Sequence, residues 1–287
     1  MARKVKISSV VLNIRLHPHT SELYKSFLQD IFQLRKPVKV HGDRYAMISL
    51  INRSEIDKDV ITGTITSFTK VELQGSWFDA ENLAEATDEQ VSEVTIPRHL
   101  HPNAATFFFH FDIKKHRIYV QQYSKGKVLT ANQALTLFKA LSEDLSITER
   151  YKLASITLVQ ARTGLEELFS LTRLDKISIT IMKPNSDILA DDFEAQIEQH
   201  LLDAHARKFI VTYTADPGSS LVRTPDIDTL AESALDHGNV EVVGRDEKGR
   251  VKLSTEQYPE VLHDKYDPET TTEAQAFRRL INSENAN

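Results

Sequence analysis

Two pairs of histidines at i, i+2, His17 with His19 and His99 with His101, are the residues of this chain best spaced to share a metal ion. Alternate residues of a strand point the same way, and imidazole suits zinc or iron. Each pair borders a proline in a turn, and no Asp or Glu stands at a recognisable ligand spacing. Both pairs therefore read as solvated turn histidines, and neither a metal nor any other cofactor is assigned. Carboxylates beside cations are the second grouping. Asp112 before Lys114 and Lys115, and Asp43 before Arg44, are of the kind a metal-dependent nuclease gathers, although a charged hairpin turn is the plainer reading. With only nine glycines, neither a P-loop nor a dinucleotide fingerprint can be assembled. No Gly-x-Ser-x-Gly elbow is present. No catalytic residue is assigned, and the sequence leans away from an enzyme.

Basic residues are more suggestive. Arg35, Lys36, Lys39 and Arg44 cluster where a helix ends and a loop begins, while Lys114, Lys115, Arg117, Lys125 and Lys127 surround a hairpin. If the fold brings the two sets together, they form a surface that contacts phosphates and follows a backbone without reading bases. The competing reading is that cations at a helix C-terminus favour the macrodipole and turn lysines are simply hydrated. The formal charge of -6 argues against a protein that coats nucleic acid over its whole surface. The charge is uneven, however. The first 58 residues hold eleven Lys and Arg against five Asp and Glu, so an acidic protein can carry a basic face. The competing reading is that the long acidic remainder simply keeps the protein soluble.

The elements that must position these residues follow from periodicity. The aromatic run Thr106 to Phe111 and the alternating Arg117 to Gln121 predict neighbouring antiparallel strands joined by Asp112-Ile113-Lys114-Lys115. Thr130 with Gln133 is a capping box, followed by Ala134, Leu135, Leu137, Phe138 and Leu141 at helical spacing. Upstream, a long strand runs to Leu16, and Thr20 or Ser21 caps a helix with an apolar stripe from Leu23 to Phe32. Tyr45 to Ile51 and Val60 to Thr66 are two further strands, and 75–102 is an excursion, partly helical. Downstream, Ser155 to Val159 is a strand, and Thr163 with Glu166 reads as a second capping box. Lys176 to Met182 alternates, so Ser178 and Thr180 face away from the buried side. Asp187 to Ala206 is a long helix, Phe209 to Tyr213 a strand, and a helix from Thr224 to Gly238 leads into a last pair of strands. After Pro259 the chain is polar, and 283–287 should be disordered.

A chain of 287 residues suggests two modules. The expected division is an N-terminal α+β module at 1–150 with the basic hairpin and loops, a C-terminal α+β module at 151–258, and a polar, partly disordered tail at 259–287. Recurrent hairpins among helices indicate the α+β class, with antiparallel or mixed sheets and helices packed on one side. No apolar run approaches the ~20 residues that cross a bilayer, so no membrane insertion is expected. The basic start lacks the apolar stretch of a signal peptide. The absence of cysteine removes disulfides and thiolate chemistry and fits a cytoplasmic location.

Three segments carry a resemblance. Lys4-Val5-Lys6-Ile7-Ser8 leading to Leu16-His17-Pro18-His19, Gly63 to Phe68 leading to Trp77-Phe78, and Phe107 to Phe111 leading to Lys115-His116-Arg117-Ile118-Tyr119 resemble the bacterial family DUF4747, a domain of unknown function, across most of the chain. More distantly, the hairpin, the capped helix and the stretch Ile177 to Lys183-Pro184 before a long helix are similar to the RexA exclusion proteins of phage lambda. That second likeness implies an anti-phage defence sensor. Such a protein would bind double-stranded DNA without strong sequence preference, as a homodimer, and signal to an effector partner. It adds Lys183 to the nucleic-acid-binding candidates and brings no catalytic residue. The alternatives are a metal-dependent nuclease and a non-enzymatic interaction scaffold with an acidic face.

Overall fold

A computed structural model describes residues 4–16, 20–152, 154–183 and 192–285. The chain opens with β1 (Val5–Arg15), α1 (Ser21–Gln33), β2 (Val38–His41), β3 (Arg44–Asn52) and β4 (Val60–Thr69). The excursion holds the short ribbon β5 (Phe78–Asp79) and β6 (Ala84–Glu85) and helix α2 (Asp88–Ser92). Then come β7 (Ala105–Asp112), β8 (Arg117–Gln121), the ribbon β9 (Tyr123–Ser124) and β10 (Lys127–Val128), α3 (Ala131–Ser142) and α4 (Leu145–Tyr151). The second half runs β11 (Ser155–Leu158), α5 (Arg162–Phe169), β12 (Arg173–Met182), α6 (Asp192–Asp203) and β13 (Lys208–Thr214). It continues with α7 (Pro225–His237), β14 (Gly238–Asp246), β15 (Gly249–Ser254), β16 (Val261–Tyr266) and α8 (Glu273–Asn285).

The protein is α+β, with two main antiparallel sheets. The first has the order β11-β1-β8-β7-β4-β3-β2, with β16 also on β1. The second has the order β13-β12-β14-β15. Strand β1 organises the first sheet. One edge pairs with β8, and the other pairs with β16 along Val5 to Val10 and with β11 along Leu12 to Arg15. Its even residues Val10, Leu12 and Ile14, with Leu16 just beyond it, enter the core shared with α1 and α3. The odd residues Ile7 and Val11 enter a second core with Phe277, Leu280 and Ile281 of α8. Both faces of β1 are thus covered, and every residue from Ile7 to Arg15 is buried, the polar ones included.

The expected β7–β8 hairpin forms, with Phe109 opposite Val120 and Asp112 opposite Arg117. Thr130 and Gln133 make the expected reciprocal cap of α3. Helix packing on one side describes the second sheet, where Ile177, Ile179 and Ile181 meet α6 and α7 and Ser178 reaches Thr212 on the other face. In the first sheet α8 also covers part of the face opposite α1 and α3.

Three expectations are corrected. The segment after Pro259 is no polar tail: β16 pairs with β1, and α8 buries Ala276, Phe277, Leu280 and Ile281 on the sheet. Strand β11, expected in the second module, joins the first sheet through Leu12 and Leu158. Helix α5 begins at Arg162, with Ala161 at its N-cap and no side-chain cap. There the Ala161 N–H donates to Tyr258 O at 2.8 Å, so docking against the 255–258 turn sets the start of the helix rather than Thr163. The N-terminal part of the helix expected at Asp187 to Ala206 lies outside the described residues.

Candidate nucleic-acid interface

The sheet registers decide which cations meet. Gly42, at φ +51, makes the two-residue turn between β2 and β3, a place where short hairpins favour glycine. Beyond it Arg44 lies opposite His41 on one side and Thr69 on the other. The Lys70 N–H donates to Asp43 O at 3.0 Å, which ties the end of β4 to this turn. Lys39 pairs with Tyr45, and Tyr45 with Phe68, so all three share a face. The Phe68 ring stacks on His101 at 4.6 Å, and the Lys70 ammonium stands 5.5 Å from the centre of the Tyr45 ring. Lys39, Tyr45 and Lys70, with Asp43 and Glu72, line a depression of about 610 Å³. Arg44 has the opposite strand parity, and its guanidinium reaches Ser67 Oγ at 3.5 Å. Among the described residues Lys39, Arg44 and Lys70 make no ion pair.

Lys125 and Lys127 lie exposed in the β9–β10 ribbon. It leaves from the end of β8, at the same end of the sheet as the end of β4 and about 14 Å across three strand spacings from β3. Lys114, Lys115 and Arg117 are carried to the opposite end, about 30 Å away along the ten-residue β4. There they are engaged within the protein. The Lys114 ammonium is 3.8 Å from Asp59, which also pairs with Lys25 at 3.1 Å. The Lys115 N–H donates to Asp112 Oδ1 at 3.0 Å, so the carboxylate once grouped with a nuclease caps the turn. Arg117 donates to both oxygens of Asp236 at 3.3 Å. Lys36 donates to Asp144 at 2.7 Å, and that bond, with help from Ser146, holds the Asp144 carboxyl below the usual carboxylate range. Arg35 is exposed after α1 at φ +45.

Lys183 lies at the seam between the sheets, where its N–H donates to Arg207 O at 3.1 Å. The seam is built on the end of α7. The last carbonyls of a helix lack partners of their own, and here β1, β11 and the residues just after β11 supply them. Asn13 Nδ2 and Thr157 Oγ1 donate to Asp236 O at 3.1 and 3.0 Å. The Gln160 N–H donates to Leu235 O at 3.1 Å. The buried Arg15 donates from Nη1 to Lys183 O at 3.0 Å and to His237 Nδ1 at 3.1 Å. Because Arg15 can only donate, the His237 ring carries its proton on Nε2. Arg15 and Arg117 also suit the negative end of the α7 dipole.

The expected single basic surface is therefore divided. Lys39 and Arg44 gather at one end with Lys125 and Lys127 nearby, while Lys114, Lys115 and Arg117 lie at the other. Lys70 and Tyr45 were missed as site residues. Lys70 sits just past the end of β4, but only the register of β3 and β4 sets it over Tyr45. Among the described residues no group of three or more His, Asp or Glu is placed to hold a metal. His101 instead stacks on Phe68, and the His17 and His19 pair lies outside the described residues. No helix among the described residues is long and apolar enough to cross a membrane.

The family model DUF4747, described as a domain of unknown function, matches residues 5–282. No curated protein matches the chain.

Proposed function

The chain belongs to the DUF4747 family, and within it we propose that this protein binds nucleic acid through the phosphate backbone, without strong sequence preference. The contact surface is the end of the first sheet formed by Lys39, Arg44 and Lys70, extended by Lys125 and Lys127. One observation carries this reading: these cations make no ion pair among the described residues, whereas Lys36, Lys114 and Arg117 are held by carboxylates. A paired cation must give up its internal partner to neutralise a phosphate, while a solvated one releases only counterions. A role as a homodimeric anti-phage sensor that signals to an effector is the part of the proposal that rests on the RexA likeness alone.

Gel mobility of duplex DNA tests the binding. We expect retardation at low salt that weakens steeply as salt rises, and the double variant Lys39→Ala, Lys70→Ala should reduce the slope of log affinity against log salt by about two. Unchanged mobility of duplex DNA at low salt overturns the reading. Degradation of plasmid with Mg²⁺ or Mn²⁺ would replace the binder with the nuclease alternative.

A further inference from the structure

A second cationic site lies at the seam, far from the surface just described and independent of it. Lys152, at the C-cap of α4, Lys183, just after β12, and Arg207, just before β13, line one cleft of about 490 Å³ together with Tyr151, Ser155 and Met182. Three separate elements thus bring three positive charges to one cavity, and no carboxylate is among its described lining residues. None of the three cations makes an ion pair among the described residues. Arg150 and Arg279, by contrast, are met by acids, Asp30 at 2.5 Å and Asp264 at 2.7 Å.

The cleft has a fixed wall. Arg15 donates to Lys183 O at 3.0 Å and to Met182 O and Ser155 Oγ at 3.4 Å, holding a strand of each sheet around the cavity. The cleft continues into a groove of about 200 Å³ that shares Ser155, Met182 and Arg207 and is lined further on by Thr157, Thr180 and Asn239. Lys139, Glu143 and Glu256 also line this groove, so it carries both signs of charge. Such a division suits a ligand with a concentrated negative head and a neutral, hydrogen-bonding body. The volume is in the range of pockets that hold small molecules, and clefts between sheets or domains are where such pockets form.

We propose that this cleft binds a phosphorylated small molecule, its phosphate held by Lys152, Lys183 and Arg207 and its polar body lying along the adjoining groove. Because the walls belong to both sheets, occupancy tightens the seam.

The test uses the full chain with methionine methyl groups labelled for NMR. Met182 lines the cleft, while Met47 lies on β3 of the first sheet. Inorganic phosphate, ribose 5-phosphate, AMP and adenosine are the probes. We expect inorganic phosphate and at least one of the two esters to move the Met182 methyl signal and leave that of Met47 in place, with an ester binding more tightly than phosphate and adenosine inert. Comparing the two esters tells a sugar phosphate from a nucleotide. The double variant Lys183→Ala, Arg207→Ala should weaken the ester by about tenfold or more, and Lys183→Gln, Arg207→Gln serves if the first fails to fold. Lys39→Ala, at the other site, should leave ester binding unchanged. A Met182 signal indifferent to phosphate and both esters at low salt overturns the proposal, as does equal binding of adenosine or affinity insensitive to both double variants. Loss of DNA retardation with ester binding intact would remove the nucleic-acid reading alone.

Discussion

His110 on β7 is nearly enclosed, its ring edge-on to Tyr119 at 6.0 Å. Burial pushes its pKa below 6.5, and Arg278 acts in the same direction, against smaller raising effects of Asp112 and Glu55. Burial also pushes the Tyr119 hydroxyl up to about 12, so that neighbour stays protonated. Below the unfolded pKa the unfolded chain takes up a proton at His110 that the folded chain resists, so stability falls as pH drops through that region. Denaturant midpoints measured from about pH 8 down to pH 5 should show this loss, and His110→Gln should flatten it. Gly63 illustrates a different constraint on a single residue. A Cβ there would stand 2.2 Å from Leu50 O and 2.5 Å from the Phe109 ring. Gly63→Ala should therefore cost about 1–3 kcal/mol by chemical denaturation. The strand around Gly63 is legible in its alternation, but the close approach of Phe109 is not, because the two residues meet only through the β4–β7 register.

At the scale of elements, local signals served where the contact itself is local. The Thr130 N–H donates to Gln133 Oε1 at 2.9 Å, and the Gln133 N–H to Thr130 Oγ1 at 3.3 Å. Both partners lie within four residues, so spacing alone reveals the cap. Thr130→Ala should lower stability by about 1 kcal/mol, read from the thermal midpoint. The start of α5 shows the converse, since Tyr258 sets it from almost a hundred residues away. Helix α8 was hidden by the polar average of its segment. Its apolar residues at 276, 277, 280 and 281 form a stripe, and that stripe has meaning only because the odd face of β1 receives it. Phe277 meets Phe108 with ring centres 6.3 Å apart. Phe277→Ala should cost about 3 kcal/mol or more, and in hydrogen exchange the loss should appear in β16 as well as α8.

For the whole molecule the seam is decisive. Arg15 is fully buried and holds backbone carbonyls of β12 and the following residue, the side chain of Ser155 on β11, and His237 at the end of α7. Removing it leaves several buried acceptors without their donor, and each costs about 1–3 kcal/mol. Arg15→Met, which keeps much of the volume, should destabilise the protein by about 3 kcal/mol or more, measured by denaturation. It should also increase exchange at β11 and β12 more than at β3 and β4. Charge is likewise decided at this scale. Lys114 and Arg117 look like members of a basic group in one dimension, but the sheet delivers them to Asp59 and Asp236. Lys183, Lys152 and Arg207 are scattered along the chain and still meet in one cleft.

By itself the sequence determined the α+β class, the β7–β8 hairpin, the N-caps of α1, α3 and α7 and the strands whose faces differ in polarity. Each depends on neighbours within a few residues, through alternation, capping or turn chemistry. Tertiary structure alone decided which cations meet, why Arg15 is buried, and where α8 lies. Those outcomes depend on strand order and register between distant segments, and composition and spacing carry no record of which strand a given strand will choose.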